Sequence, residues 1–310
     1  MRATMRSAGG AAVLAISALW AHAQAVAPDP RTEPAEASEW RALPTGTTKP
    51  LMGVWGRSER DVFVVGHGLI LHHDGAAWTS VAVTGRLVSV WGSDRDVFAS
   101  GDEGLLLHSR DGGAWTVVPT GTRGNLDGLW GTSARDAFAV ADSDGTILHH
   151  DGTRWWPMAS GTAKPLAGVW GSSSNDVFAV GFEGTILHYD GTRWSPMASG
   201  TTQHLIGVWG CSSRDVFAVG FEGTILHYDG ARWTLVPHGA TTQFLTRIWG
   251  TSARDVFAVG AGGTILHYDG VRWRAMASGT GEFLTGVWAS QRTGAYAVGR
   301  NGTLLYRPQR

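Results

Sequence analysis

The 310-residue chain carries 25 Lys and Arg against 26 Asp and Glu, a formal net charge of −1, and only 16% of it is charged. That balance offers no basic run to release counterions from phosphates, so no nucleic-acid partner is expected. A content of 16 Trp and 44 Gly excludes a disordered chain and points to a turn-rich β protein, while the single Cys211 excludes an internal disulfide.

Residues 1–23 read as a signal peptide: "MRATMR" is a basic start, "AAVLAISALWA" an apolar core, and "AHA" before Gln24 a small-x-small cleavage site. Export to the periplasm, cell surface or exterior is the expectation. No Cys follows the apolar run to carry a lipid, and no other stretch reaches the ~20 apolar residues of a membrane span. Residues 24–38, Pro- and Glu-rich, read as a leader, and 39–310 as one domain.

That domain is a tandem repeat. Trp55, Trp91, Trp130, Trp170, Trp209, Trp249 and Trp288 recur 36 to 40 residues apart, each with a Leu four residues earlier. One copy holds four short apolar runs, for example "LAGVWG", "DVFAVG", "GTILHYDG" and "TRWSPMASGT", bounded by Gly, Ser, Asn or Asp. A period near 40 with four runs per period predicts a propeller blade, and the "DG" between the third and fourth runs predicts a tight hairpin. The fold class expected is all-β: a seven-bladed β-propeller with four antiparallel strands per blade. The last copy ends at "GTLLYRPQR" without a fourth run, whereas a spare run with Trp40 precedes the first. Pairing of that N-terminal strand with the last blade is expected to close the ring.

The repeated polar residues read as architecture. His72, His108, His149, His188, His227 and His267 share one position, and Asp61, Asp96, Asp136, Asp176, Asp215 and Asp255 another. An enzyme needs one constellation, whereas a blade needs its polar contacts in every copy. The Asp is expected to accept bonds from the preceding turn and the His to bridge strands. No metal site is expected, because His72-His73 and His149-His150 are strand neighbours pointing to opposite faces, and "ADSDG" lacks the bidentate acid of a calcium loop. No phosphate loop or cofactor signature is present.

The unit "WGSSSNDVFAVGFEGTILHYDGTRW" resembles the tandem repeats of exported bacterial β-propellers grouped with the bacterial neuraminidase (Asp-box) and photosystem II assembly-factor repeats. The Asp-box pattern Ser-x-Asp-x-Gly-x-x-Trp is itself not matched, and no arginine set of the sialidase kind stands out from the repeat. WD-repeat proteins share the "DGTI" strand and a Trp/Asp/His/Ser-Thr network, without their Gly-His and Trp-Asp dipeptides here.

Function must then lie where the copies differ. Two loop sets vary, those between the second and third runs ("GDEG", "DSDG", "GFEG", "GAGG", "GRNG") and those joining blades ("TGTTKP", "SGTTQH", "HGATTQF", "SGTGEF"). A four-stranded meander displays both on one side of the ring. There the candidate ligand-binding residues are Phe182, Glu183, Phe221, Glu222, Phe244, Arg247 and Arg300, since an aromatic beside a carboxylate suits a sugar ring or a basic peptide. The reading is a monomeric, secreted, non-catalytic binding or scaffold propeller for a glycan or surface polymer, or for a protein. A polysaccharide hydrolase or lyase of the sialidase-like type is the alternative.

Overall fold

The computed structural model describes residues 40–309 apart from 293. The signal-peptide and leader assignments lie outside the described residues. Each repeat folds as an antiparallel meander. In the fourth, the strands Leu166–Ser173, Asp176–Gly181, Ile186–Tyr189 and Trp194–Met197 pair in chain order. The first two strands of that meander are apolar on nearly every residue, because sheets lie against both of their faces.

Hydrogen bonds define six sheets, five of four strands and one of six, so the expectation of seven separate four-stranded blades is corrected. The first and second repeats share the six-stranded sheet through one 16-residue strand, Trp78–Ser93. Its first part pairs with Asp61–His73 (His73↔Trp78 to His67↔Arg86) and its last part with Asp96–Gly101 (Leu87↔Gly101 to Ser93↔Asp96). The cause is the short join "TGR", which brings Trp55 and Trp91 within 36 residues of each other and leaves the chain no slack to depart from the sheet.

The N-terminal strand does pair with the last repeat, through Arg41↔Tyr306 and Ala42↔Leu305, with Leu43 N–H donating to the Leu304 carbonyl at 2.8 Å. It completes one sheet and does not close a hydrogen-bonded ring, so that part of the expectation is corrected as well. Successive sheets are joined by side chains. The Trp of each "VWG" lies on the glycine of the next repeat: Trp130 carbon would stand 2.6 Å from a Cβ on Gly171, and Trp288 relates in the same way to Gly56 at 2.9 Å. Where the last repeat has Ala289, Trp249 instead donates its indole N–H to the Ala289 carbonyl at 2.9 Å. Farther out, the Trp of each fourth strand meets the aromatic ring of the preceding repeat edge-on: Trp194 on Phe138, Trp233 on Phe178, Trp273 on Phe217, Trp40 on Phe257 and Trp78 on Tyr296, with centroids 5.7–6.3 Å apart. The last of these contacts joins the first repeat to the seventh, so the circle is completed by aromatic packing.

The repeated Asp and His take the structural places expected. The His Nε2 lies 2.6–2.8 Å from the Asp Oδ1 in all six copies. The Asp also accepts from the preceding turn, from Thr132 at 2.5 Å, Thr251 at 2.6 Å and the Cys211 thiol at 3.0 Å. Cys211 is thus a stand-in for a hydroxyl, and its thiol is pushed up to about 11 by burial and by Asp215. The paired histidines diverge: His149 faces Asp136, whereas His150 Nδ1 is 3.0 Å from the Ala134 carbonyl oxygen.

Gly171→Ala should lower stability by about 1–3 kcal/mol, because the added methyl meets a ring held by two sheets. Urea denaturation should show a lower midpoint with an unchanged slope.

Candidate functional site at the loop-side mouth

The variable loops are built to one plan. After the strand Asp176–Gly181 the chain makes a single tight turn over Phe182–Gly184, closed by Thr185 N–H to the Phe182 carbonyl at 3.1 Å. Phe182 N–H donates to Pro165 at 3.0 Å and Gly184 N–H to Gln203 at 2.9 Å, so each tip is pinned between the joins before and after its repeat. The tip residue is left-handed: φ is 53° at Glu183, 54° at Glu103 and Glu222, 53° at Asn301, and 61° at Gly262. A side-chain-bearing residue held there costs roughly 1–2 kcal/mol that glycine avoids.

Around the fourth to seventh repeats these loops form a continuous belt of rings. Phe182 stacks on His204 (centroids 4.2 Å), His204 meets Phe221 edge-on (5.0 Å), Phe221 meets Phe244 (4.3 Å), Phe244 meets Phe283 (5.7 Å), and the Arg300 guanidinium lies 4.7 Å over Phe283. His204 Nδ1 accepts the Glu183 N–H at 2.9 Å, which puts the ring proton on Nε2, and burial holds its pKa below the usual histidine value. The ring is therefore a neutral member of the stack. Phe182, Phe221 and Phe244 are half-buried, Phe283 is buried, and the carboxylates stand at the exposed rim. Glu183 is 3.1 Å from Lys164 Nζ, and Glu222 accepts from Gln203 at 2.7 Å.

The opposite arc is charged. Arg86 forks onto Asp102 with bonds of 2.7–3.1 Å, which raise its pKa although burial works against the charge. Asp142 accepts from the Asn125 amide at 3.2 Å. Below the rim, the channel is walled by one branched aliphatic residue from each repeat, from Val54 to Val287, around a cavity of about 90 Å³. Arg247 spans this channel, donating to the Asp127 carbonyl and to the Thr246 carbonyl at 3.0 Å each, and burial lowers its pKa. The Asp127 carboxyl group is buried and accepts no hydrogen bond from any described residue. Burial first, and Asp142 second, push its pKa up to about 7, and burial likewise raises Asp142.

Of the seven residues singled out from sequence, the structure brings Phe182, Phe221, Phe244 and Arg300 into one belt and sets Glu183 and Glu222 along its rim. Arg247 lies apart, in the channel. His204 and Asp127 escaped sequence reasoning. A signal for Asp127 existed, since it is the one charged residue directly after the leading Leu, where the other copies have Met52, Val88, Ala167, Ile206, Thr246 and Thr285.

No protein-family model matches the chain, and no curated protein matches it. Among solved structures it is similar to YCF48 from Cyanidioschyzon merolae, with 18% identity and a TM-score of 0.71 over 88% of this chain and 99% of that one. It is similar to YCF48 bound to D1 peptide, with 16% identity and a TM-score of 0.75 over 92% and 100%. The WD40 β-propeller domain of Doa1 is similar at 11% identity and a TM-score of 0.76 over 89% and 98%. These likenesses show a tandem-repeat β-propeller fold. They include YCF48, a photosystem II assembly factor, and lend no support to a bacterial origin or a neuraminidase likeness.

Because Asp127 holds its proton more tightly in the native than in the unfolded chain, its contribution to stability is full below about pH 4 and is lost as pH rises through 7. The stability of the unaltered protein relative to Asp127→Asn should therefore fall between pH 5 and pH 8 by at least about 1 kcal/mol. Denaturant titrations of both proteins across that range measure the difference.

Proposed function

We propose that this protein is a non-catalytic binding propeller whose loop-side mouth grips an extended segment of a protein partner. The observation that carries the reading is the belt from Phe182 to Arg300. Phe182 stacks on His204, and Phe221, Phe244 and Phe283 meet at tilted angles, so the belt offers apolar ring surface and edges along one line of the mouth. Such a surface suits apolar side chains of a peptide, and the rim carboxylates Glu183 and Glu222 suit basic residues between them. The likeness to a propeller whose structure holds a peptide supports this use of the fold. The positive φ of Glu183 and Glu222 supports it further, because glycine serves the same place in the sixth repeat at Gly262. The N-terminal segment supports export as the setting in which the mouth works.

Selection of 15-residue peptides from a random library on the immobilised protein, beside a glycan array, tests the reading. Enriched peptides should carry aromatic or aliphatic residues with intervening Lys or Arg. Phe182→Ala combined with Phe221→Ala should weaken them by tenfold or more, while Arg135→Ala on the opposite face should leave them unchanged. Glycan binding without peptide binding, or peptide binding indifferent to the double change, would reject the proposal.

Replacing Glu183 and Glu222 together by Gly should stabilise the fold by about 2–4 kcal/mol through relief of the two left-handed residues, while weakening the basic peptides. Thermal unfolding and peptide titration of this variant separate the two effects.

A further inference from the structure

We infer that the channel beneath the aromatic belt is a receptor for one alkylammonium group, the side chain of a lysine carried by the bound segment, with Asp127 as its acceptor. The inference rests on the mouth taking a protein segment. Apart from the belt, the channel holds a buried acid without a hydrogen-bond donor among the described residues.

Arg247, the cation of the channel, already donates to two backbone carbonyls, those of Thr246 and Asp127. The acids are the groups left wanting. Asp127 is among the residues lining the cavity, is only 9% exposed, and its carboxylate accepts no hydrogen bond from the described residues. Asp142, only 1% exposed, has Oδ2 bonded to Asn125, and its buried Oδ1 has no partner. A buried acceptor without a donor costs free energy that a ligand donor recovers.

The charges point the same way. Asp102, Asp127 and Asp142 interact with Arg86 and Arg247, so three carboxylates stand against two guanidiniums. One added cation balances the cluster. Arg86 is committed to Asp102 through both nitrogens of its fork, which leaves Asp127, among the residues lining the cavity, to the newcomer.

The walls choose the kind of cation. An aliphatic ring that includes Val208, Ile248 and Val287 suits a chain of methylenes, and the cavity of about 90 Å³ suits a slender stem with a compact head. Ammonium is such a head, whereas a guanidinium is a broad planar group. At neutral pH the ammonium competes with the proton on Asp127, so binding should strengthen as pH rises.

The test uses the full chain with its isoleucine δ-methyls labelled for NMR, since Ile206 and Ile248 line the channel whereas Ile186 and Ile225 lie within sheets. The probe is Nα-acetyl-lysine methylamide, and the control is the norleucine analogue, which has the stem without the charge. The lysine probe should shift Ile206 and Ile248 and leave Ile186 and Ile225 in place. Its affinity should rise about tenfold from pH 6 to pH 8 and fall at least tenfold in Asp127→Asn.

Phe221→Ala should keep this response, which distinguishes failure of the belt from failure of the channel. Equal shifts from norleucine, unchanged affinity in Asp127→Asn, or preference for the glutamate analogue, which would assign the channel to Arg247, would each overturn the inference.

Discussion

Tryptophan laid on the glycine of the next repeat is the contact from which the other features follow. An indole needs its neighbour to have no side chain, and in return it fixes the distance and tilt between two sheets whose strands do not pair with each other. The edge-on contact of the outer Trp with the preceding repeat's Phe repeats the constraint at a larger radius. Two rings of aromatic joints thus set the circle. The seventh repeat shows how the inner joint is specified: with Ala289 in the glycine's place, the Trp249 indole N–H donates to a carbonyl.

With the indoles turned onto neighbouring glycines, the aliphatic residue that precedes each of them contributes to the channel wall in every repeat. The loop tips in turn are held between two joins each, so their side chains add little to the scaffold's stability. This freedom allows the mouth to be chemically divided, with rings over four repeats and charges over two. Polar networks that every copy shares, such as Asp176 with His188, lie at the opposite end of the sheets and do not constrain that division.

The repeat, its strands, the structural Asp and His, and the side on which the variable loops gather were legible because each signal recurred and could be checked against its siblings. The merging of the first two repeats was legible only as a short spacing, since whether three residues between strands make a loop or a continuous extended run depends on the sheet they join. The aromatic belt was half legible. Phe182, Phe221 and Phe244 were visible as exceptions, but His204 belongs to it through stacking from the fourth to the fifth repeat, a contact that no linear pattern encodes. Arg247 was visible as an exception and its position was not, because its direction across the channel depends on the carbonyl of Asp127, 120 residues away.

Repetition also supplies an internal control for the residues that break it. At the position of Asp127 the sixth and seventh repeats carry Thr246 and Thr285. Thr246 donates its hydroxyl toward the carbonyls of Val259 and Leu284, and Thr285 toward those of Val298 and Leu51. That place in the scaffold therefore presents carbonyl oxygens and suits a donor. A carboxylate has no donor to offer there, and burial first and Asp142 second push the pKa of Asp127 up. The same comparison applies at the loop tips, where Gly262 adopts without strain the backbone that Glu183 and Glu222 adopt with it. In both places the scaffold's own preference is visible in a sibling repeat, and the departure from it places an acid toward the mouth. The acids at the rim and the acid in the channel are thus two instances of one pattern, stability given up locally where a partner's positive charge would restore it.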